Sequence, residues 1–200
     1  MKKVLISFLV SFGLMSAAQA GDATAGQAKA ATCGACHGAD GNSLAPNFPK
    51  IAGQGERYLI KQITDIKNGA RQVPEMTGFV MNLSEEDIAD IAAYFASKTT
   101  SGGAATPELV EAGRQVFAGG NEATGVPACI ACHGPAGKGL PSAGFPALAG
   151  QHAAYTEKQL KDFYSGKRTN DGDTKTMRDI AKRMHMDEIK AVSDYIQGLK

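Results

Sequence analysis

The chain contains no tryptophan, only 6% aromatic residues and just four cysteines in 200 residues. After the first fifteen residues no run is long and apolar enough to cross a bilayer, which excludes a spanning helix from the body of the chain. Twenty-one Lys and Arg stand against twenty Asp and Glu, so the charge is close to zero and no basic stripe of the nucleic-acid-binding kind is present. Strand-like alternation of polar and apolar residues is also missing, which leaves an all-α fold.

What is present is a pentapeptide, twice. Cys33-Gly34-Ala35-Cys36-His37 and Cys129-Ile130-Ala131-Cys132-His133 together use every cysteine. Two thiols three residues apart can add to neighbouring vinyl groups of one porphyrin, with the following histidine set against the iron. The motif therefore reads as two covalently attached c-type haems. Structural zinc requires a second Cys-X-X-Cys some fifteen to twenty residues on, and Cys36 and Cys129 are much farther apart. A thioredoxin-like pair requires a βαβ unit, for which neither copy has a strand. A plain disulfide leaves both histidines unexplained.

Residues 1–20 read as a secretion signal: Lys2 and Lys3 are the basic start, Val4 to Met15 a short apolar core, and Ala18-Gln19-Ala20 a small-residue cleavage site. Its removal leaves a chain starting at Gly21 with nineteen basic and twenty acidic residues, in an oxidising exported compartment, the periplasm. Thioether attachment accounts for four cysteines there. About 180 residues suit one or two small domains, each near the size at which a protein-only core is marginal, and a buried porphyrin supplies the missing apolar mass.

The rest of the chain repeats as well. The haem motifs match at an offset of 96, and Phe48-Pro49-Lys50-Ile51-Ala52-Gly53-Gln54 matches Phe145-Pro146-Ala147-Leu148-Ala149-Gly150-Gln151 at 97. The same offset pairs Tyr58 with Tyr155, Lys61-Gln62 with Lys158-Gln159, Asp65 with Asp162, Gly69 with Gly166 and Arg71 with Arg168. Past the arginines the second copy is four residues longer, and a register of 101 pairs Met76 with Met177, Leu83 with Met184, Ile88 with Ile189 and Tyr94 with Tyr195. Thr99 to Ala105 is small, polar and flexible, which divides the chain into a domain over 21–98, a linker over 99–106 and a domain over 107–200.

Each unit reads as helix, haem motif, irregular loop, helix, loop, helix. Leading helices are predicted over Ala23–Ala35 and Glu108–Ala118, the second with Thr106 as N-cap and Pro107 in the first turn. Leu59, Ile63 and Ile66 mark one helical face ending near Gly69, and Leu160 and Phe163 mark another before Gly166. Ser84 caps a last helix with Ile88, Ile91, Ala92 and Phe95 on one face, which Ile189, Val192, Ser193 and Ile196 repeat with one polar substitution.

Iron with a proximal histidine takes a sixth ligand, and Met76, Met81, Met177, Met184 and Met186 all follow a haem motif. If the two sites are equivalent, the ligand is methionine in both copies at one register, and only Met76 and Met177 meet that condition. Met184 and Met186 are read as core filling. His37 with Met76 and His133 with Met177 fill both octahedra, leave no open position, and make a pair of haems that pass electrons and catalyse nothing.

Pro49 and Pro146 offer carbonyls to the second ring nitrogen of each histidine, or simply make rigid turns. Tyr58, Tyr155, Arg71 and Arg168 could bond haem propionates; the plainer reading, tyrosines on helix faces and solvated arginines past helix ends, is preferred. His152 and His185 are unmatched in the repeat and are read as surface or capping residues. His152 displaces Met177 only if the second haem is bis-histidine.

The two haem motifs, the shared Phe-Pro-X-Ile/Leu-Ala-Gly-Gln stretch, Glu75-Met76-Thr77-Gly78, Asn170-Asp171-Gly172-Asp173 and Met177-Arg178 resemble the cytochrome c4 family over the whole mature chain. The resemblance implies two tandem class I cytochrome c domains about a pseudo-twofold axis, with haem propionate edges facing across the interface. It implies a periplasmic carrier, often loosely membrane-associated, that takes electrons from the cytochrome bc1 complex to a terminal oxidase such as the cbb3 type; a monomer is expected. Carried over by position, its iron ligands are His37, Met76, His133 and Met177. Two further classes stay open: a dihaem subunit similar to that of flavocytochrome c sulfide dehydrogenase, and a dihaem peroxidase, whose family is longer and needs one accessible iron.

Overall fold

A computed structural model describes residues 21–200; the secretion signal read over residues 1–20 lies outside them. Among the described residues there are ten α-helices and no strand, only the isolated bridges Asn121–Val126 and Leu140–Phe145. The first unit holds α1 (Ala23–Lys29), α2 (Gly34–His37), α3 (Glu56–Lys67), α4 (Pro74–Val80) and α5 (Glu85–Ala96). The second holds α6 (Pro107–Gly119), α7 (Ile130–His133), α8 (Ala153–Ser165), α9 (Thr176–Ala181) and α10 (Met186–Gly198). No helix among the described residues is long and apolar enough to cross a membrane.

In each unit the first and last helices cross with their backbones touching, and glycine permits it. A Cβ on Gly26 would stand 2.0 Å from the Asp90 carbonyl oxygen, and one on Gly113 would stand 2.3 Å from that of Ala191. Asp90 and Ala191 are register equivalents, so the crossing is one design used twice. Lys29 ties the first crossing with ion pairs to Asp90 at 2.7 Å and Asp87 at 2.9 Å, while the Asp22 N–H donates to Asp90 at 2.7 Å. Asp22 caps α1, and Ser84 and Asp87 form a capping box on α5.

Two cores follow from the helical faces read in the sequence. Ala30, Leu59, Ile91, Ala92, Tyr94 and Phe95 close the first, and Val116, Phe117, Val126, Met184, Ile189, Val192 and Ile196 the second. Met184 is 4% exposed and belongs to that core, as its filler role required. Ser193 stands fully buried where the first copy has Ala92.

Two local expectations are corrected, and the place of Thr106 holds while its side chain does other work. The leading helix of the first unit does not run through to Ala35: it stops at Lys29, a hydrogen-bonded turn carries the chain to Cys33, and α2 starts afresh at Gly34. Thr106 sits at the N-cap of α6, yet its hydroxyl donates to Asp194 on α10 at 2.8 Å instead of serving α6 itself. Each methionine-bearing loop also contains a short helix, α4 or α9, too brief to show as a hydrophobic period.

Candidate haem sites and the seam between them

Each haem motif is a single helical turn. The His37 N–H donates to the Cys33 carbonyl at 3.0 Å and the His133 N–H to that of Cys129 at 3.0 Å, which puts residues i, i+3 and i+4 of each motif on one face. The turn stops at Gly38 and Gly134, with φ of 80° and 77°, a conformation that favours glycine. The thiols are unbridged; burial pushes that of Cys33 up and that of Cys129 up to about 11. A reactive redox pair needs the opposite shift.

Both histidines are buried, and each is held by a carbonyl. His37 Nδ1 donates to Pro49 at 2.9 Å and His133 Nδ1 to Pro146 at 2.9 Å, so the acceptor role considered for the prolines is the observed one. Donation from Nδ1 fixes the tautomer and leaves Nε2 with a free lone pair. Burial lowers the proton affinity of both rings, against the pull of the carbonyls, and keeps them in the neutral form that binds metal. The prolines are placed by their loops: the Gly53 N–H bonds the Phe95 carbonyl at the end of α5 at 2.9 Å, and the Gly150 N–H bonds that of Ile196 on α10 at 3.0 Å. Two thiols, one neutral imidazole with an unshared nitrogen and an apolar core beside them match the chemistry of a thioether-linked haem.

Met76 on α4 and Met177 on α9 are both half-buried, at equivalent places in the two copies. Met81 is 58% exposed, and Met186 is 45% exposed, so the core-filling role expected of Met186 is not the observed one: as the first residue of α10 it points away from the core that Met184 fills. On the turn before Met177, Asp171 accepts from Arg178 Nε at 2.6 Å and from the Arg178 N–H at 2.9 Å, which braces the start of α9. His185 caps α10, its backbone N–H donating to Glu188 at 2.7 Å. His152 caps α8 and sends Nε2 across to the Ser43 carbonyl of the other unit at 2.8 Å, a contact incompatible with that nitrogen binding iron.

The recurring tyrosines do lie on helix faces, Tyr58 on α3 and Tyr155 on α8, but the arginines are not the solvated residues that the plainer reading made them. The two copies face each other, and these side chains exchange partners across the seam. Arg71 donates to Gln62 of its own unit at 3.0 Å and to Tyr155 and Gln159 of the other, both at 3.0 Å. Arg168 donates to Gln159 of its own unit at 2.9 Å and to Tyr58 and Gln62 of the other at 3.2 and 2.9 Å. Burial alone would push the Tyr58 phenol up; the guanidiniums of Arg168 and Arg71 outweigh it and hold the group below its ordinary value. Asn170, in the loop that is four residues longer in the second copy, adds bonds to Gln62 at 2.9 Å and Asp65 at 2.6 Å.

The family model for cytochrome c matches the chain in two segments, residues 23–99 and 110–200. Cytochrome c4 of Pseudomonas aeruginosa is 62% identical over the full length of both chains. The chain belongs to the cytochrome c4 family. Cytochrome c4 of Azotobacter vinelandii is 55% identical, again over the full length of both. The crystal structure of reduced recombinant cytochrome c4 from Pseudomonas stutzeri, 57% identical, superposes with a TM-score of 0.89 over 90% of this chain and all of that one. As a member of the cytochrome c4 family the chain is an electron-transfer cytochrome of two cytochrome c domains, and its two Cys-X-X-Cys-His motifs, at Cys33/Cys36 and Cys129/Cys132, fit two covalent haem c groups.

Proposed function

We propose that this chain is a periplasmic, monomeric electron carrier, loosely associated with the membrane, that takes electrons from the cytochrome bc1 complex or another donor to a terminal oxidase such as the cbb3 type. The observation that carries the reading is the duplicated site: in both copies a buried histidine held by a proline carbonyl follows two thiols on one helical turn, and a methionine sits at one shared register on a short helix. Cys33 and Cys36 tether one haem and Cys129 and Cys132 the other, with His37 and Met76, and His133 and Met177, as axial ligands. When bound, the haem iron supplies reversible one-electron exchange at a potential raised by the thioether ligand. The protein contributes a fixed imidazole tautomer at each buried histidine and, in the second copy, a braced methionine helix.

Two ligands per iron leave no position for oxygen, peroxide or an oxidisable substrate, which makes the chain a carrier and not an enzyme. Residues 1–20 direct export, residues 21–98 and 107–200 carry one haem each, and residues 99–106 join them. Arg71 and Arg168 bring two positive charges into the seam, and haem propionates are anions suited to a guanidinium fork.

The test is reconstitution. Purified holoprotein added to stripped membranes holding the bc1 complex and an oxidase restores quinol-dependent oxygen uptake under this reading. Failure to restore it, or turnover of peroxide by the protein alone, contradicts it.

A further inference from the structure

The Phe-Pro-X-Ile/Leu-Ala-Gly-Gln stretch ends in each copy on a buried glutamine that the haem sites do not use directly. Gln151 clamps the backbone of Lys50 in the other domain: its Oε1 accepts from the Lys50 N–H at 2.9 Å and its Nε2 donates to the Lys50 carbonyl at 2.8 Å. Gln54 does the same to Ala147, accepting at 2.8 Å and donating at 3.0 Å. Lys50 and Ala147 hold one register position in the repeat, so a single contact is made twice, in opposite directions.

Each clamped N–H is one end of the amide whose other end holds a histidine. The carbonyl between Pro49 and Lys50 accepts from His37 Nδ1 at 2.9 Å while the N–H of the same peptide group donates to Gln151 at 2.9 Å. Between Pro146 and Ala147 the same amide links His133, at 2.9 Å, to Gln54, at 2.8 Å. Peptide resonance makes the carbonyl oxygen more negative when the N–H is engaged, and bonds in such a chain strengthen one another away from water. The route runs from imidazole through one amide to a side chain of the opposite domain.

We infer that Gln151 is a positioning residue for the iron ligated by His37, and Gln54 for the iron ligated by His133, so that each domain tunes the potential of the haem in the other. The inference rests on the axial assignment proposed above. An engaged Lys50 N–H makes Pro49 a stronger acceptor, which draws the Nδ1 proton, makes the imidazole a better electron donor and favours ferric iron. Without the clamp the potential of the opposite haem rises. The haem of the glutamine's own domain keeps its value, because the side chain is neutral and the amide it clamps holds the other domain's histidine.

The experiment uses holoprotein carrying Gln151→Met or Gln54→Met, with the midpoint of each haem read by spectroelectrochemistry and each histidine Nδ1–H by proton NMR of the reduced protein. Gln151→Met is expected to move the His37 haem upward and the His37 Nδ1–H resonance upfield, with both His133 readings unchanged; Gln54→Met gives the mirror result. Gln151→Glu keeps an accepting oxygen at the same reach and moves the His37 resonance the other way, a reading that stands even if Gln151→Met does not assemble. Equal shifts at both haems, a shift confined to the variant's own domain, or no movement of the opposite resonance overturns the inference. If His37 ring protons lack the ring-current displacement of an axial imidazole in the unmutated protein, the ligand assignment has failed first, and the relay falls with it.

Discussion

Arg71 donates to the Tyr155 hydroxyl at 3.0 Å across the seam, and its register partner Arg168 answers with Tyr58 at 3.2 Å. Each phenol accepts from a charged donor, half-buried Arg71 or buried Arg168, a bond of the stronger kind. Tyr155→Phe is expected to cost about 1.5–3 kcal/mol, with Tyr58→Phe similar but smaller because Arg168 keeps Asn170, Gln62 and Gln159 as acceptors. Denaturant unfolding of the holoprotein measures both. Changes near zero in both variants mean that the seam bonds are exchanged freely for water.

Gly113 touches the Ala191 carbonyl so closely that a methyl group has nowhere to go, and Gly26 stands likewise against Asp90. The obstructing atoms are backbone, so the helices must separate. Gly113→Ala is expected to destabilise the second domain by about 1–3 kcal/mol or more, and Gly26→Ala the first. Thermal melts followed at each haem separately assign the loss to the domain that carries the change.

Asp171 braces α9 at the residue after Met177 through two bonds to Arg178. Its counterpart loop in the first copy lacks those residues. Asp171→Ala is expected to loosen Met177 alone, so that cyanide or imidazole binds the second ferric haem roughly tenfold more tightly, a loss of about 1.4 kcal/mol of ligand closure. Ligand titration of the oxidised protein reads it, and equal binding at both haems contradicts the role given to Asp171.

Lys29 hydrogen-bonds Asp90 and Asp87, which holds both carboxyls below their usual range and the ammonium above its own. Carboxyls depressed by folding stabilise above their ordinary value, about pH 4, and lose that contribution as pH falls through the lower folded values. The raised ammonium contributes fully below about pH 10.4 and loses it as pH climbs through its higher folded value. Lys29→Met is therefore expected to lower the melting temperature by a near-constant amount between about pH 5 and pH 9, with the difference from the unmutated protein closing in stronger acid. A difference that persists unchanged at the acid limit contradicts the electrostatic origin.

Much of this architecture is legible in the sequence. The two pentapeptides declared the haem chemistry, the residue-by-residue repeat declared two like domains, and apolar faces such as Ile88, Ile91, Ala92 and Phe95 located the cores, because all three signals are local in sequence. The seam was not. Arg71, Arg168, Tyr58 and Tyr155 showed only that they recur; the tyrosines sit on helix faces as read, but the arginines are not solvated, because their partners lie in the opposite domain, where no periodicity points. Gln54, Gln151, Gln62 and Gln159 recur in the same way, and that shared register was the one available hint that something other than a domain's own core selects them. The break between α1 and α2 was hidden because Ala30 to Thr32 carry no glycine or proline to mark it.

A closed iron in each domain requires Met76 and Met177 as the sixth ligands, and the far-red sulfur-to-iron absorption band of the oxidised protein tests this most directly. Met76→Ala and Met177→Ala are each expected to remove half of the band, while Met184→Ala, a change in the core, leaves it whole. A full band in Met76→Ala, or a halved one in Met184→Ala, contradicts the assignment and the closed, carrier-type iron that follows from it.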